Sequence, residues 1–552
     1  MLLVAAAAGL ALADSSVVAL ALPPILHELH TTVEGVAAVI GVYTLVLAVA
    51  IVPAAWLARR FGPGHAGAIG LLVFAAASLG CAAANDLTTL LVLRGAQAAG
   101  GAAGLLAAFD LIEGGAPGTR GRRLWIAAAV FGSAAGPAIG GVLTEALDWR
   151  AIFIAQSPLA LAAAGAAWSL RIPPPTAPPS GPLRLRPALA LALVAAALTA
   201  VLFLLVLELV AGWSVSPLRA AAGVTVLPVA AIAASRLRGD PLLRATAGCL
   251  LVAGGTAALA FLPGAHVTWT LAPQLLAGLG MGLAFPALAG ELLPERTAAD
   301  AARLLVARHV GIVAALLLLA PITGQRLKDA TETAKLHGVA LVLDVPLPPQ
   351  DKITLAPALL AGVEAEQPRA GLQAALAAHR GDYSGDRRVA YDHMATRVDD
   401  TLVRAVGDAF RAAFLITAAL ALLAALVLAS GAVAPPTDPL RGRAPGLAWA
   451  GASAAVALIA IVAYVALHAS LAPKEVALRD PCRGRDLPNS GGITGVLQQG
   501  ALFLLDRAAC RYGSSREELV LALADDSEQK RFEDRHGVDP RSAEGILQGL
   551  LG

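Results

Sequence analysis

Apolar stretches of about 20 residues recur along almost the whole chain, and lipid leaves few ways to fold such a sequence. A bilayer core supplies no water for unpaired backbone groups, so only helices and closed barrels cross it. At 1.5 Å per residue, about 20 residues span roughly the 30 Å hydrocarbon layer. Repeated runs of that length lead us to expect an all-α polytopic membrane protein. Spans are expected near 2–25, 34–57, 67–85, 88–111, 124–146, 151–171, 187–212, 216–235, 241–263, 268–292, 303–325, 407–433 and 445–468. This ordering divides into an N-terminal six-helix half (1–172), a Pro-rich basic linker (173–186) and a second half (187–325, completed by 407–433). Residues 434–468 add a loop and a thirteenth helix. Two long segments, 326–406 and 469–552, stand apart from the membrane pattern.

Composition narrows the function classes. With 57% apolar and 14% charged residues, the chain does not read as a soluble protein. A net charge of +2 gives no reason to expect a nucleic-acid partner. The first apolar segment has no basic n-region and no cleavage signal, so it reads as a retained helix. Basic residues fix the expected orientation: Arg59, Arg60, Arg120, Arg122, Arg123, Arg184, Arg186, Arg236, Arg238, Arg441 and Arg443 fall on alternate loops. The Arg-rich side is expected to be cytoplasmic, with the N-terminus there and the C-terminus outside a cell membrane. The short loops opposite carry essentially only Arg150. All five lysines lie in the two long outside segments, which escape the charge rule.

The stretch Trp125–Pro158 carries the most specific pattern. Gly132, Gly136 and Gly140 recur every four residues, a stripe that lets another helix approach at backbone distance. Pro137 lies within it and leaves the Ser133 carbonyl without its intrahelical partner. Pro137, Gly140 and Gly141 resemble the Gly-Pro-x-x-Gly-Gly antiporter motif of drug:proton antiporters of the major facilitator superfamily, fourteen-helix branch. Trp149, Arg150, Phe153 and Pro158 match the family's entry into helix six. Asp14, within Leu12-Ala13-Asp14 to Pro23, is similar to the helix-one signature, and Arg94 with Gln97 is similar to the Arg-x-x-Gln-Gly motif of helix four. Gly278–Pro286 and Ala307–Gly311 resemble helices ten and eleven. Between helices two and three, Leu57, Ala58, Arg60 and Gly62 match the family turn. Ala55 replaces its first Gly and Arg59 its Asp, which in the family helps latch the halves. The resemblance implies a major facilitator fold with the central helix pair of that branch missing. It also implies a proton-coupled exporter of a small, partly apolar organic compound.

Individual residues add chemistry. An ionisable group at mid-membrane depth is expensive and a functional candidate by default. Asp14 is one, and Arg94 is its expected partner in the central cavity. Proton coupling and plain helix packing both remain open for the pair. Glu208, near the outer end of helix seven, reads either as a second titratable site or as a carboxylate snorkelling to the interface. Arg308 and His309 in helix eleven read as cavity lining or as packing. The chain shows no nucleotide loop, no metal-spaced His/Cys cluster and no nucleophile elbow, so neither enzyme chemistry nor a cofactor or metal is expected. Protons, a small-molecule substrate and the bilayer are the expected partners.

The outside segments are expected to be helical. The first has a helix at 326–336, a β-branched run at 339–343, prolines from Pro346 to Pro349, then helices near 355–379 and 389–406. In the second, Ile493, Val496, Leu497, Ala501, Leu504, Leu505 and Ala508 recur at helical spacing, with Gln498, Gln499, Asp506 and Arg507 opposite. Ser515 and Glu518 form a capping box for another helix, and a third fits Ser542–Leu551. Outside placement favours a Cys482–Cys510 disulfide; two free thiols in a cytoplasmic tail are the alternative. These segments suit an envelope protein partner. An alternative function is therefore a non-transporting scaffold presenting 326–406 and 469–552.

Overall fold

The computed structural model describes all residues except 116–118, 171–183, 294–296, 361–362, 364–366, 431–443, 475, 484–491 and 552. The expected linker at 173–186, for the most part, and Arg441 and Arg443 thus lie outside the described residues. So do the side chains of Arg122 and Arg123. The described chain is helical, without strands, and forms two compact units. One comprises Met1–Val210, Val215–Gly324 and Phe410–Ser470; the other comprises Ala211–Ser214, Gln325–Ala409 and Leu471–Gly552.

The first unit holds the membrane bundle. Its first half consists of α1 (Leu2–Ala19), α2 (Leu22–Glu28), α3 (Val33–Phe61), α4 (Pro63–Ala82), α5 (Leu87–Gly115), α6 (Thr119–Ala146) and α7 (Arg150–Ser169). The second half has α8 (Leu185–Val206), α9 (Pro217–Val224), α10 (Val226–Ser235), α11 (Pro241–Leu259), α12 (Val267–Leu292) and the first part of α13 (Ala298–Asp344). After α14 (Pro349–Leu360) and α15 (Pro368–His379) of the second unit come α16 (Gly385–Ala429) and α17 (Ala444–Leu471). Twelve spans among the described residues are long and apolar enough to cross a membrane. α6, which packs along α1, is not among those twelve.

Local chemistry sets the boundaries. Thr32 caps α3 by accepting from the Gly35 amide (3.3 Å), Arg59 and Arg60 sit in its last turn, and Gly62 (φ 85°) ends it. The single helix expected over 2–25 is broken at Leu20–Ala21, because Pro23 and Pro24 withhold amides from the preceding turn. The span after Pro217 is likewise divided at Thr225, ahead of Pro228. Both halves use glycine to bring backbones together. A Cβ on Gly100 would lie 2.5 Å from the Gly70 carbonyl, and one on Gly248 would overlap that of Gly280. The halves meet through α1 and α8, α6 and α9, and α3 and α13, a symmetric set of pairings. The α3–α13 seam runs from Glu34 against Gly324 to Ala54 and Ala55 against Ala298 and Ala302. α17 sits against α11, where Ala457 meets Gly254, and it is clamped by Arg411–His468 (2.9 Å); most of its surface stays exposed.

The second unit corrects several boundaries. The helix expected at 303–325, the one at 326–336 and the β-branched run at 339–343 are all one helix, α13. Val339 and Val342 are fully buried, Pro321 is accommodated within the helix, and the next proline is Pro346. The helices expected at 389–406 and 407–433 are also one, α16, since Gly407 alone does not interrupt it. The helix expected at 355–379 is instead two, with Pro368 opening α15. Arg369 pairs with Asp399 in two parallel bonds (2.8 and 2.7 Å), joining α15 to α16.

The C-terminal part comprises α18 (Gly492–Tyr512), α19 (Arg516–Ala524), α20 (Asp526–His536) and α21 (Ala543–Leu551) around Ala509, Leu519, Ala522 and Phe532. The Cys482–Cys510 disulfide is present. Ser515 caps α19 at the Glu518 amide (3.1 Å), but the Glu518 carboxylate turns to Ser514, Arg535 and His536 instead of closing a capping box. The expected facing of α18 is only partly met: Ala508 is buried and Leu505 packs on the core, with Arg507 exposed, but the rest is displaced. Val496, Leu497, Phe503 and Leu504 are exposed, whereas Gln498 and Asp506 are buried. Asp506 turns inward toward Arg516 (3.9 Å), which is fully buried and also contacts Asp344 (2.9 Å) and Glu517 (3.1 Å). A buried guanidinium requires anions, and this requirement overrides the apolar periodicity of α18.

Candidate functional site

Asp14 and Arg94 meet as expected. Arg94 Nη2 lies 2.7 Å from Asp14 Oδ2, and both side chains are completely buried. α1 supplies the carboxylate and α5 the guanidinium, and both helices bury the stretch around the pair. Arg94 Nε donates to the Val39 carbonyl (3.1 Å) and Nη1 to Gln97 Oε1 (2.6 Å). Gln97 Nε2 donates to Ser78 Oγ (2.8 Å) and Gln156 Oε1 (3.0 Å). Gln156 Nε2 donates back to Asp14 Oδ1 (3.2 Å). The four side chains thus form a closed ring spanning α1, α5 and α7, buttressed by α3 and α4. The Arg94 guanidinium lies over the Tyr43 ring at 4.3 Å, and Tyr43 donates its hydroxyl to the Ala11 carbonyl (3.2 Å).

The sequence reading named Asp14, Arg94 and Gln97 but missed Gln156, Ser78 and Tyr43 as members. Gln156-Ser157 is a polar pair inside an otherwise apolar helix, and that was the available signal. The other candidates stand apart. Glu208 is only 2% exposed, which overturns snorkelling to the interface. It sits on a π-helical turn, Leu207–Gly212, with Oε2 lacking any hydrogen-bond partner among the described residues. His309 Nδ1 lies 2.6 Å from the Leu305 carbonyl, which only accepts, so that nitrogen carries the proton. Its Nε2 then accepts from Arg308 Nη1 (3.2 Å). Arg308 and His309 thus pair with each other on α13.

The glycine stripe faces α1. A Cβ on Gly136 would overlap Ser16 Oγ, and one on Gly140 would overlap the Val17 carbonyl. Gly141 faces α9 at Ala221 and Pro217. The side-chain surroundings of residues 131–135, Gly132 among them, lie outside what is described. Pro137 is accommodated within α6 without a break. Trp149 and Arg150 grip Glu28 of α2 (both 2.6 Å), and Arg150 also reaches the Ala84 carbonyl (3.2 Å). At the turn that departs from the family pattern, Arg59 and Arg60 are exposed. The first turn of α13 carries its own cap: Thr297 Oγ1 accepts from the Asp300 amide (3.2 Å), and Asp300 accepts from Thr297 (3.4 Å). No group of three or more His, Cys, Asp or Glu suited to a metal occurs among the described residues.

Comparison with known proteins places this geometry. The multidrug resistance protein Stp of Mycobacterium tuberculosis is 32% identical over 150 residues, covering 26% of this chain and 28% of that protein. The tetracenomycin C resistance and export protein of Streptomyces glaucescens is 33% identical over 153 residues, covering 27% and 28%. The chain therefore matches under a third of either relative's length. The solved structure of a bacterial homolog of the human lysosomal transporter Spinster, inward-facing and occupied, aligns with a TM-score of 0.58. That alignment covers 78% of this chain and 96% of the other at 15% identity, a likeness of fold alone. A sequence model of the Major Facilitator Superfamily matches residues 4–318, more than half of the chain. The chain belongs to the Major Facilitator Superfamily of membrane transporters.

Proposed function

We propose that the chain is a proton-coupled exporter of a small, partly apolar organic compound, working by alternating access, with Asp14 as the coupling carboxyl. One observation carries the reading: a fully buried ion pair, Asp14–Arg94, ringed by amides inside the first half. A protein without transport would gain stability by losing such charges from its membrane core. The drug-resistance names of the two relatives, one of which also names export, support the substrate class. Glu208, buried with an unpartnered oxygen, is the second titratable candidate. Arg308 and His309, paired on α13, are the second half's candidates for lining the transport cavity. Gly141 lets α6 approach α9 of the other half at backbone distance, while Gly136 and Gly140 pack α6 against α1 within the first half. The Arg-rich loops and the Cys482–Cys510 bridge favour a cytoplasmic N-terminus and an outside C-terminal domain, where an envelope protein partner would bind.

The test is flux of ethidium in proteoliposomes under an imposed pH gradient. Uptake that follows the gradient and is lost in Asp14→Asn supports the reading. Gradient-independent behaviour of well-folded protein would select the scaffold alternative, which Arg59 in place of the latch Asp favours. Alkylation of intact cells without reductant tests the orientation: labelling of Cys482 and Cys510 only after permeabilisation refutes it.

A further inference from the structure

We propose that Gln156 is the positioning residue through which the protonation state of Asp14 reaches α7. The proposal rests on Asp14 being the coupling carboxyl. It follows from what each member of the ring is able to donate and accept. A guanidinium only donates and an ionised carboxylate only accepts. Starting from Arg94, Gln97 must present Oε1 to Nη1 (2.6 Å), which turns its nitrogen toward Gln156 (3.0 Å). Gln156 must then offer its oxygen to Gln97 and its nitrogen to Asp14 Oδ1 (3.2 Å). One orientation of the two amides satisfies both of them and Asp14 Oδ1, and it holds only while Oδ1 accepts and Oδ2 stays charged opposite Arg94 Nη2 in the ion pair.

A proton taken up from solution disturbs this order wherever it lands. On Oδ2 it removes the negative charge that Arg94 Nη2 faces at 2.7 Å, and with it the ion pair that closes the ring. On Oδ1 it points at the Gln156 nitrogen. Gln156 accepts it only by turning its amide over, which sets its nitrogen against that of Gln97. Turning Gln97 over as well sets nitrogen against Arg94 Nη1, and the guanidinium has no acceptor with which to end the chain. The mismatch has no outlet, so the ring opens. Gln156 provides both of the ring's bonds to α7, one to Asp14 of α1 and one to Gln97 of α5. Protonation therefore releases α7 from two neighbours at once. The other groups coupled to Asp14 are Arg94 on α5, Tyr43 on α3 and Cys81 on α4, with Arg308 of α13 beyond Tyr43. Tyr43 already gives its hydroxyl proton to Ala11, so it does not replace the amide.

The experiment compares Gln156→Glu and Gln156→Leu with the wild type in the full-length protein. A protonated Glu keeps both bonds, donating to Asp14 and accepting from Gln97, but places two carboxyls on one proton. The pH midpoint of ethidium flux is expected to move by about one unit or more, while the folded yield holds. Gln156→Leu is expected to lower kcat about tenfold or more with KM little changed. A merely structural Gln156 would reduce folded protein in both variants and leave the pH profile of the remainder unmoved. A wild-type profile in Gln156→Glu, or a wild-type kcat in Gln156→Leu, overturns the proposal. A readout free of transport separates it from the coupling reading: pH-step infrared difference spectra of detergent-solubilised protein. The Asp14 carboxylic band, identified by its loss in Asp14→Asn, should shift in frequency in both Gln156 variants. A shifted band without gradient-driven flux keeps the relay and refutes export. An unshifted band refutes the relay.

Discussion

Breaking the Asp14–Arg94 pair from either side should cost more than removing it whole. Both side chains have zero exposure and their charged atoms are 2.7 Å apart, so neither is screened by water. Asp14→Asn leaves the Arg94 guanidinium buried with the Val39 and Gln97 oxygens but no counterion. Truncating one member of a buried pair costs about 3–5 kcal/mol, because the survivor remains desolvated. Arg94→Gln strands Asp14 in the same way, although Asp14 is able to take up a proton. The double variant, two neutral amides facing each other, removes the charge problem and should be more stable than Asp14→Asn alone. The expected interaction term is about 3 kcal/mol, the upper end for contacting residues. The assay is built into the chain: Cys81 and Cys249 are free and buried, so a thiol-reactive dye reports melting in detergent. Purely additive losses, or an Asp14→Asn protein that melts with the wild type, would show that the pair behaves like an exposed one worth about 0.2–1 kcal/mol. The reasoning from burial would then fail.

Gly140→Ala should lower the melting temperature and flux more than Gly136→Ala, because the first meets a backbone carbonyl at Val17 and the second a rotatable Ser16 hydroxyl; the same dye assay ranks them, and the reverse order refutes the packing argument. Cys482→Ser should destabilise the C-terminal helices by about 3 kcal/mol through loss of a bridge closing a separation of 28 residues; limited proteolysis with and without reductant measures it. Burial lowers the Lys352 ammonium from 10.5 to about 8, with Asp344 opposing and Arg516 adding to the shift. Between those values the unfolded chain holds a proton that the folded chain does not. Stability of the second unit should therefore rise with pH across about 8 to 10.5, and the slope should vanish in Lys352→Met. Hydrogen exchange in 325–409 and 471–552 across that range reads it.

The bundle was legible in the sequence because lipid makes helix formation a local matter: each apolar run must satisfy its own backbone. Asp14, Arg94 and the glycine stripe were legible for the same reason, since a charge or a missing side chain stands out against an apolar background. The outside boundaries were less so. α13 and α16 run on through Pro321 and Gly407 respectively, whereas a change from apolar to polar composition reads as an end.

Partnership, by contrast, belongs to the tertiary structure. Sequence alone determined that a carboxylate and a guanidinium lie in the membrane; their closure into a ring needed Gln156, 142 positions from Asp14, brought beside it by helix packing. Periodicity determined that α18 is amphipathic, but the buried Arg516 decided which face turns inward, drawing Asp506 against the hydrophobic pattern. The reason is the same in both places. Hydrophobic burial is non-directional and can be read from composition, whereas a buried charge is satisfied only by particular atoms at particular distances.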